Sequence, residues 1–121
     1  MNQPPAVDPL RPRQEPMPPR TLDLAHLERQ TMGDAALAGE VLQLFLRQAL
    51  AMKAQLSGAL AEADLRRIAH TLAGSARGIG AWQAAQLASV IEAGPADAEL
   101  GPLLAALDET EAAIRTYLGL A

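Results

Sequence analysis

Proline is spread so unevenly along this chain that it divides the chain before any other signal is read. Seven of the nine prolines (Pro4, Pro5, Pro9, Pro12, Pro16, Pro18 and Pro19) stand in the first twenty residues. Proline lacks a backbone N–H and its ring clashes with the preceding helical turn, so such a stretch forms no helix and buries no core. The expectation for 1–20 is a disordered, proline-rich tail, with a proline-rich docking peptide as the functional alternative. From Thr21 onward only Pro95 and Pro102 remain, and long helices become possible.

What fills that remainder favours helix. Half of the 121 residues are hydrophobic but only 2% are aromatic, so the apolar content is mostly Ala and Leu. Sandwiches and barrels lean instead on β-branched and aromatic residues. Thr21 or Asp23 can cap a short helix carrying Leu22, Leu24 and Leu27; Gly33 breaks it and Asp34 can cap the next. The second helix is predicted over 35–57, with Leu37, Val41, Leu44, Phe45, Met52 and Leu56 as its apolar stripe. A third begins near Leu60, carries Leu65, Ile68, Leu72, Ala76 and Ile79, and is ended or bent by Gly78 and Gly80. A fourth spans 81–93 with Leu87, Val90 and Ile91 inward, closed by Gly94-Pro95. The last begins near Ala96 or after Gly101-Pro102, with Leu103, Leu104, Leu107, Ile114 and Leu118. The fold class expected over 21–121 is all-α: an antiparallel up-down four-helix bundle with a short N-terminal helix.

Several function classes drop out on composition. A net charge of −4 argues against a nucleic-acid binder. The absence of cysteine excludes disulfides, thiolate nucleophiles and Cys-ligated zinc, and with two histidines no metal cluster is expected. No apolar run approaches a membrane span and no signal-peptide core is visible, so a cytoplasmic protein off the membrane is expected. No Walker-type phosphate loop is present, and Gly78-Ile79-Gly80 is too short to be one.

The third helix carries the candidate chemistry. On a helical wheel its five apolar residues cluster within about 80°, and His70 falls roughly opposite the middle of that stripe. Arg66 and Arg67 lie one turn before it, Ala73 and Gly74 one turn after, and Arg77 two turns after. A glycine inside a helix costs about 1 kcal/mol against alanine, and an exposed one gains no core packing in return. Its physical use is to let a partner's surface come down beside the histidine. An exposed ring nitrogen, room for a partner and nearby cations suit a phosphoryl carrier. An ordinary surface histidine on a solvated helix face is the competing reading of the same residues.

The run His70-Thr71-Leu72-Ala73-Gly74-Ser75-Ala76-Arg77-Gly78-Ile79-Gly80 resembles the signature of histidine phosphotransfer domains, H-x-L-K-G-S-A/S-x-x-[LI]-G. Leu22, Gly33-Asp34 and Phe45 before it, and Ala84, Leu87, Ile91 and Glu92 after it, extend the resemblance over most of 21–119. One position departs: the family's lysine, three residues after the histidine, is Ala73 here. The resemblance implies a phosphorelay intermediate of two-component signalling. His70 would accept a phosphoryl group from a receiver-domain aspartyl phosphate and pass it to another receiver. Its partners would be receiver domains of response regulators or hybrid histidine kinases. The chain would need no cofactor, the Mg²⁺ being the receiver's. It would be a monomer and no enzyme in its own right: neither a cofactor motif nor a second convergent polar group near His70 is apparent.

Arg66 or Arg77 would supply part of the charge that Ala73 lacks. Gln83 and Gln86 are candidate rim residues of the docking face, and Glu92 could orient the imidazole. His26 carries no motif, Trp82 and Tyr117 are expected to pack, and Asp108, Glu109 and Glu111 are expected to form a solvated face. With no kinase or receiver domain in the sequence and Met1 at its start, a stand-alone relay protein is expected. A non-phosphorylated adaptor that binds a receiver or kinase is the alternative that Ala73 keeps open. A purely structural or dimerising bundle would leave the motif unexplained.

Overall fold

Two aspartates start the first two helices as their positions suggest. The computed structural model describes residues 21–95 and 98–120, which are helical throughout apart from turns and connections; the expected tail, 1–20, lies outside them. Asp23 Oδ1 accepts from the His26 backbone N–H and opens α1 (Leu24–Gln30). Asp34 Oδ1 accepts from Leu37 N–H and opens α2 (Ala35–Leu56). Both satisfy N–H groups that the first helical turn leaves without a partner. α3 (Glu62–Ile79), α4 (Trp82–Ala93) and α5 (Gly101–Leu118) follow. α3 begins two residues after the predicted Leu60, and of the two start points considered for α5 the Gly101-Pro102 one is used, with proline in its first turn.

Gly80, not Gly78, ends α3. Gly80 lies in the left-handed region at φ 84°, and Ala81 N–H reaches back to the Ala76 carbonyl at 2.9 Å. This closure satisfies the last carbonyls of the helix and turns the chain directly into α4. Gly78 stays inside the helix.

Side-chain contacts give the helix directions. Between α3 and α4, Arg66 meets Gly94, His70 meets Glu92 and Arg77 meets Ser89, so residue numbers fall on one helix as they rise on the other. Lys53 of α2 meets Asp108 and Glu111 of α5, and Gly39 lies against Leu118, again in opposite order. α2 and α3 line a common groove and are joined by a short connection, 57–61, that reverses the chain. The arrangement is therefore the expected up-down-up-down bundle, with α1 packed on α2 and α3.

The core is built from Leu42, Phe45, Leu72, Leu103, Leu107 and Ile114 together with many alanines. Ala69, Ala73 and Ala76 of α3 and Ala84, Ala85 and Ala88 of α4 are all buried, and these two helices have the most extensive contact in the molecule. Small side chains let their axes come close. Alanine also explains where the expected stripes miss. The buried face of α2 is Ala38, Leu42, Phe45, Ala49 and Leu56, so Leu37 and Leu44 point outward. On α4 the buried set is Ala84, Ala85, Ala88 and Ile91, and Val90 is 55% exposed rather than inward. Shifting a stripe by one residue rotates it by about 100°, and a stripe drawn from large residues alone misses alanine's share of the core. Tyr117, expected to pack, is nearly half exposed.

Lys53 donates to Asp108 and Glu111, which ties α2 to α5. Asp108 and then Glu111 hold its ammonium above the usual lysine range against an opposing effect of partial burial. Two of the three carboxylates expected on a solvated face therefore have a cross-helix partner. Among the described residues no helix is long and apolar enough to cross a membrane.

Candidate functional site

α3 turns Ile68, Ala69, Leu72, Ala73, Ala76 and Ile79 into the core. His70, between two buried residues and the exposed Thr71, is carried outward, and its side chain is 74% exposed. The next two turns of the same face are Gly74 and Gly78. A Cβ placed on either would meet nothing within 4 Å. The surface beside the imidazole is thus bare backbone, one turn and two turns along.

One side chain converges on His70 from the neighbouring helix. His70 Nδ1–H donates to Glu92 Oε2 at 2.7 Å. A carboxylate only accepts, so the contact places the ring proton on Nδ1 and leaves the Nε2 lone pair turned to solvent. Glu92 is itself held: Arg66 Nη1–H donates to its backbone carbonyl at 2.6 Å. Helix spacing alone shows no second polar group beside the histidine, and Glu92 is named only through the family resemblance. The antiparallel pairing of α3 and α4 provides that group from 22 residues away. Among the described residues no group of three His, Cys, Asp or Glu side chains could hold a metal ion.

The other candidates separate. Arg66 is half-buried against Glu62, the Glu92 carbonyl and the Gly94 carbonyl. Arg67 is exposed and pairs with Asp64 at 3.0 Å. Arg77 is exposed on His70's side of α3, where its Nη2–H donates to Ser89 Oγ at 2.6 Å. Ala73 does not share the face of His70: it is 1% exposed, in the row of alanines on which α4 packs. Gln86 is exposed on α4 one turn before Ser89, and Gln83 is half-buried. The contact of Ser89 with Arg77 was not anticipated, although Ser89 stands three residues before Glu92 and so one turn along the same helix.

A second network holds the α3–α4 turn from below. Asp23 N–H donates to the Gly80 carbonyl at 2.9 Å, and the Trp82 indole N–H donates to Asp23 Oδ2 at 2.9 Å. The Trp82 indole and then the His26 backbone N–H hold the Asp23 carboxyl below the usual carboxylate range. His26, read from sequence as carrying no role, has its ring edge-on to Trp82 with centroids 4.7 Å apart. Its Nε2–H donates to the Arg77 carbonyl at 3.0 Å. The last turn of α3, and with it Arg77, is therefore anchored to α1.

Beside the glycine face, a groove of about 180 Å³ runs between α2 and α3, lined by Val41, Leu44, Phe45, Gln48, Ser75, Gly78 and Ile79. It adds an apolar strip along the α3 face that carries Gly78, two turns from His70. A family model described as Hpt domain matches residues 40–117, more than half of the chain and a span that includes His70, Glu92, Arg66 and Arg77. No curated protein matches the chain, and no solved structure does.

Proposed function

The chain belongs to the Hpt domain family, whose members carry phosphoryl groups in phosphorelays and interact with receiver domains, and on that premise we propose that His70 is its phosphoryl carrier. The His70–Glu92 hydrogen bond carries the reading. A neutral imidazole has one lone pair to offer, and here the free one is on Nε2, the outward nitrogen. In the transfer, the Nε2 lone pair forms the N–P bond while the P–O bond of the receiver's aspartyl phosphate breaks. The leaving carboxylate keeps that bond's electron pair. Nδ1 retains its proton, so the phosphorylated ring gains positive charge, and the Glu92 carboxylate faces it. Passing the group on to another receiver is the same exchange in reverse.

The chain supplies position and one lone pair; the remaining stabilisation of the transferred group, Mg²⁺ included, belongs to the receiver. Docking would use the exposed face of α3 with its two glycines, the apolar groove toward α2 and the polar seam toward α4. An apolar centre within a polar rim is how such surfaces are built. Arg77 is the cation of this face that remains exposed, and Gln83 and Gln86 would extend its rim. Arg67, neutralised by Asp64, would contribute least. With Ala73 buried, Arg77 is the residue that would supply the charge which that position lacks.

The test is phosphotransfer from a phosphorylated receiver domain to the purified chain, with His70→Gln in parallel. Acid-labile, base-stable label on the wild type and none on the variant is the expected outcome. Receiver binding without label on either protein would overturn the carrier reading in favour of a non-phosphorylated adaptor.

A further inference from the structure

We propose that Arg66 is a positioning residue: by clamping the end of α4 it sets the Glu92 carboxylate against His70 Nδ1. The inference rests on the reading of Nε2 as the attacking atom, and assigns the residue that keeps the ring in that tautomer.

α4 ends without a cap of its own. Gly94 leaves it in an extended conformation at φ −87° and ψ −173°, not in the left-handed turn that closes α3. The last carbonyls of a helix have no partner within it. Arg66 supplies one from α3, donating from Nη1 to the Glu92 carbonyl at 2.6 Å and from Nη2 to the Gly94 carbonyl at 2.9 Å. A cation at this end also suits the helix dipole. The guanidinium is fixed from its other edge, where Nε and Nη2 both donate to Glu62 Oε2, at 3.1 and 2.6 Å. Four of its five N–H donors are thereby committed.

That count decides between two roles. An arginine meant to meet a phosphoryl group would present an open fork, as guanidinium recognition of phosphate is bidentate. Arg66 has its fork on backbone carbonyls, and one of them belongs to Glu92 itself. The same residue is held at its carbonyl by Arg66 and holds His70 at its carboxylate. Because Arg66 and His70 lie one turn apart on α3, the contacts close a ring: α3, Arg66, the α4 end, Glu92, His70 and back to α3. Gly94 makes the ring tight. A Cβ there would stand 2.6 Å from the Val90 carbonyl oxygen, so the chain leaves α4 pressed against its own last turn. Without the clamp, the last turn of α4 would fray and Glu92 would spread over its rotamers. An exposed imidazole with no fixed acceptor reverts to its commoner Nε2–H form, which has no lone pair at the outward nitrogen.

The experiment reads the tautomer, by ¹⁵N chemical shifts of the His70 ring nitrogens in the full chain at a pH where the ring is neutral. It needs no partner and no phosphoryl transfer, so its failure is distinct from failure of the carrier reading. Wild type is expected to be mainly Nδ1–H. Glu92→Gln should lower the Nδ1–H to Nε2–H ratio about tenfold, since a hydrogen bond to a charged group is worth at least the ~1.4 kcal/mol that a factor of ten requires. Arg66→Ala should move the ratio in the same direction by several-fold, although Arg66 does not touch the imidazole. Arg66→Lys keeps the charge and stem but loses the fork; it should fall between Arg66→Ala and wild type, and it serves if the alanine variant fails to fold. A wild-type ratio in Arg66→Lys or in folded Arg66→Ala, with Glu92→Gln shifted, would overturn the proposal. So would slowed transfer in those variants with an unmoved tautomer, which would make Arg66 a cation for the phosphoryl group instead.

Discussion

Gly74 offers a perturbation whose effects on folding and on function should have opposite signs. It sits in the interior of α3, one turn from His70, and a Cβ added there meets no atom within 4 Å. Nothing in the fold therefore opposes Gly74→Ala. The substitution removes backbone freedom from the unfolded chain and should stabilise the protein by about 0.5–1 kcal/mol. For a domain of this size a change of 1 kcal/mol moves the unfolding midpoint by roughly 4–8 °C, so thermal unfolding by circular dichroism resolves it. Docking should respond the other way. A methyl inserted where two surfaces pack to interior density costs about 1–3 kcal/mol, or roughly fivefold to a hundredfold in affinity. Gly74→Gln, with a longer side chain on the same bare face, should abolish transfer while leaving the fold intact. The assays are the unfolding midpoint and the initial rate of label transfer from a phospho-receiver at subsaturating concentration. A stabilised Gly74→Ala with an undiminished rate, together with a Gly74→Gln protein that still transfers, would refute the idea that the glycine serves close approach. A destabilised alanine variant would refute the open geometry itself.

Gly80 gives the opposite expectation. Its φ of 84° disfavours any L side chain, and an added Cβ would stand 2.9 Å from both Asp23 Cβ and the Asp23 carbonyl oxygen. Gly80→Ala should destabilise by about 2–4 kcal/mol, combining left-handed strain with damage to the Asp23–Gly80 hydrogen bond, measured by urea unfolding followed on Trp82 fluorescence. Asp23 provides the pH dependence. Its carboxyl is held below the usual range when folded, so its contribution is complete above the unfolded value of about 3.9 and is lost as pH falls through the folded value. Stability measured from pH 6 downward should therefore decline below about pH 4, and Asp23→Asn should flatten that decline; an identical slope in the variant would count against the Trp82–Asp23 contact.

Much of this molecule was legible in its residues because the signals are local. Proline confined to the start left the rest free to form helices, Asp23 and Asp34 stood at cap positions, and Gly94-Pro95 and Gly101-Pro102 marked two ends. His70 could be placed outside because a single helix has one period and its large apolar residues were unambiguous. The α3 motif could be read as that of a phosphoryl carrier through its family resemblance, because its residues form one continuous stretch. The faces of α2 and α4 were displaced because alanine counts for little in a stripe yet makes much of this core. Depth on the wheel misled at Ala73, which three-residue spacing places near His70 but which α4 covers. What only the tertiary structure decided is the set of pairings across helices. Glu92 on Nδ1, Arg66 on the α4 carbonyls, Ser89 on Arg77 and His26 beneath the α3 terminus each join residues from different helices, set by the axial offset between them. Sequence spacing fixes the angle of a side chain around its own axis; it carries no information on how far one helix has slid along its neighbour, and that slide chooses the atom a side chain meets.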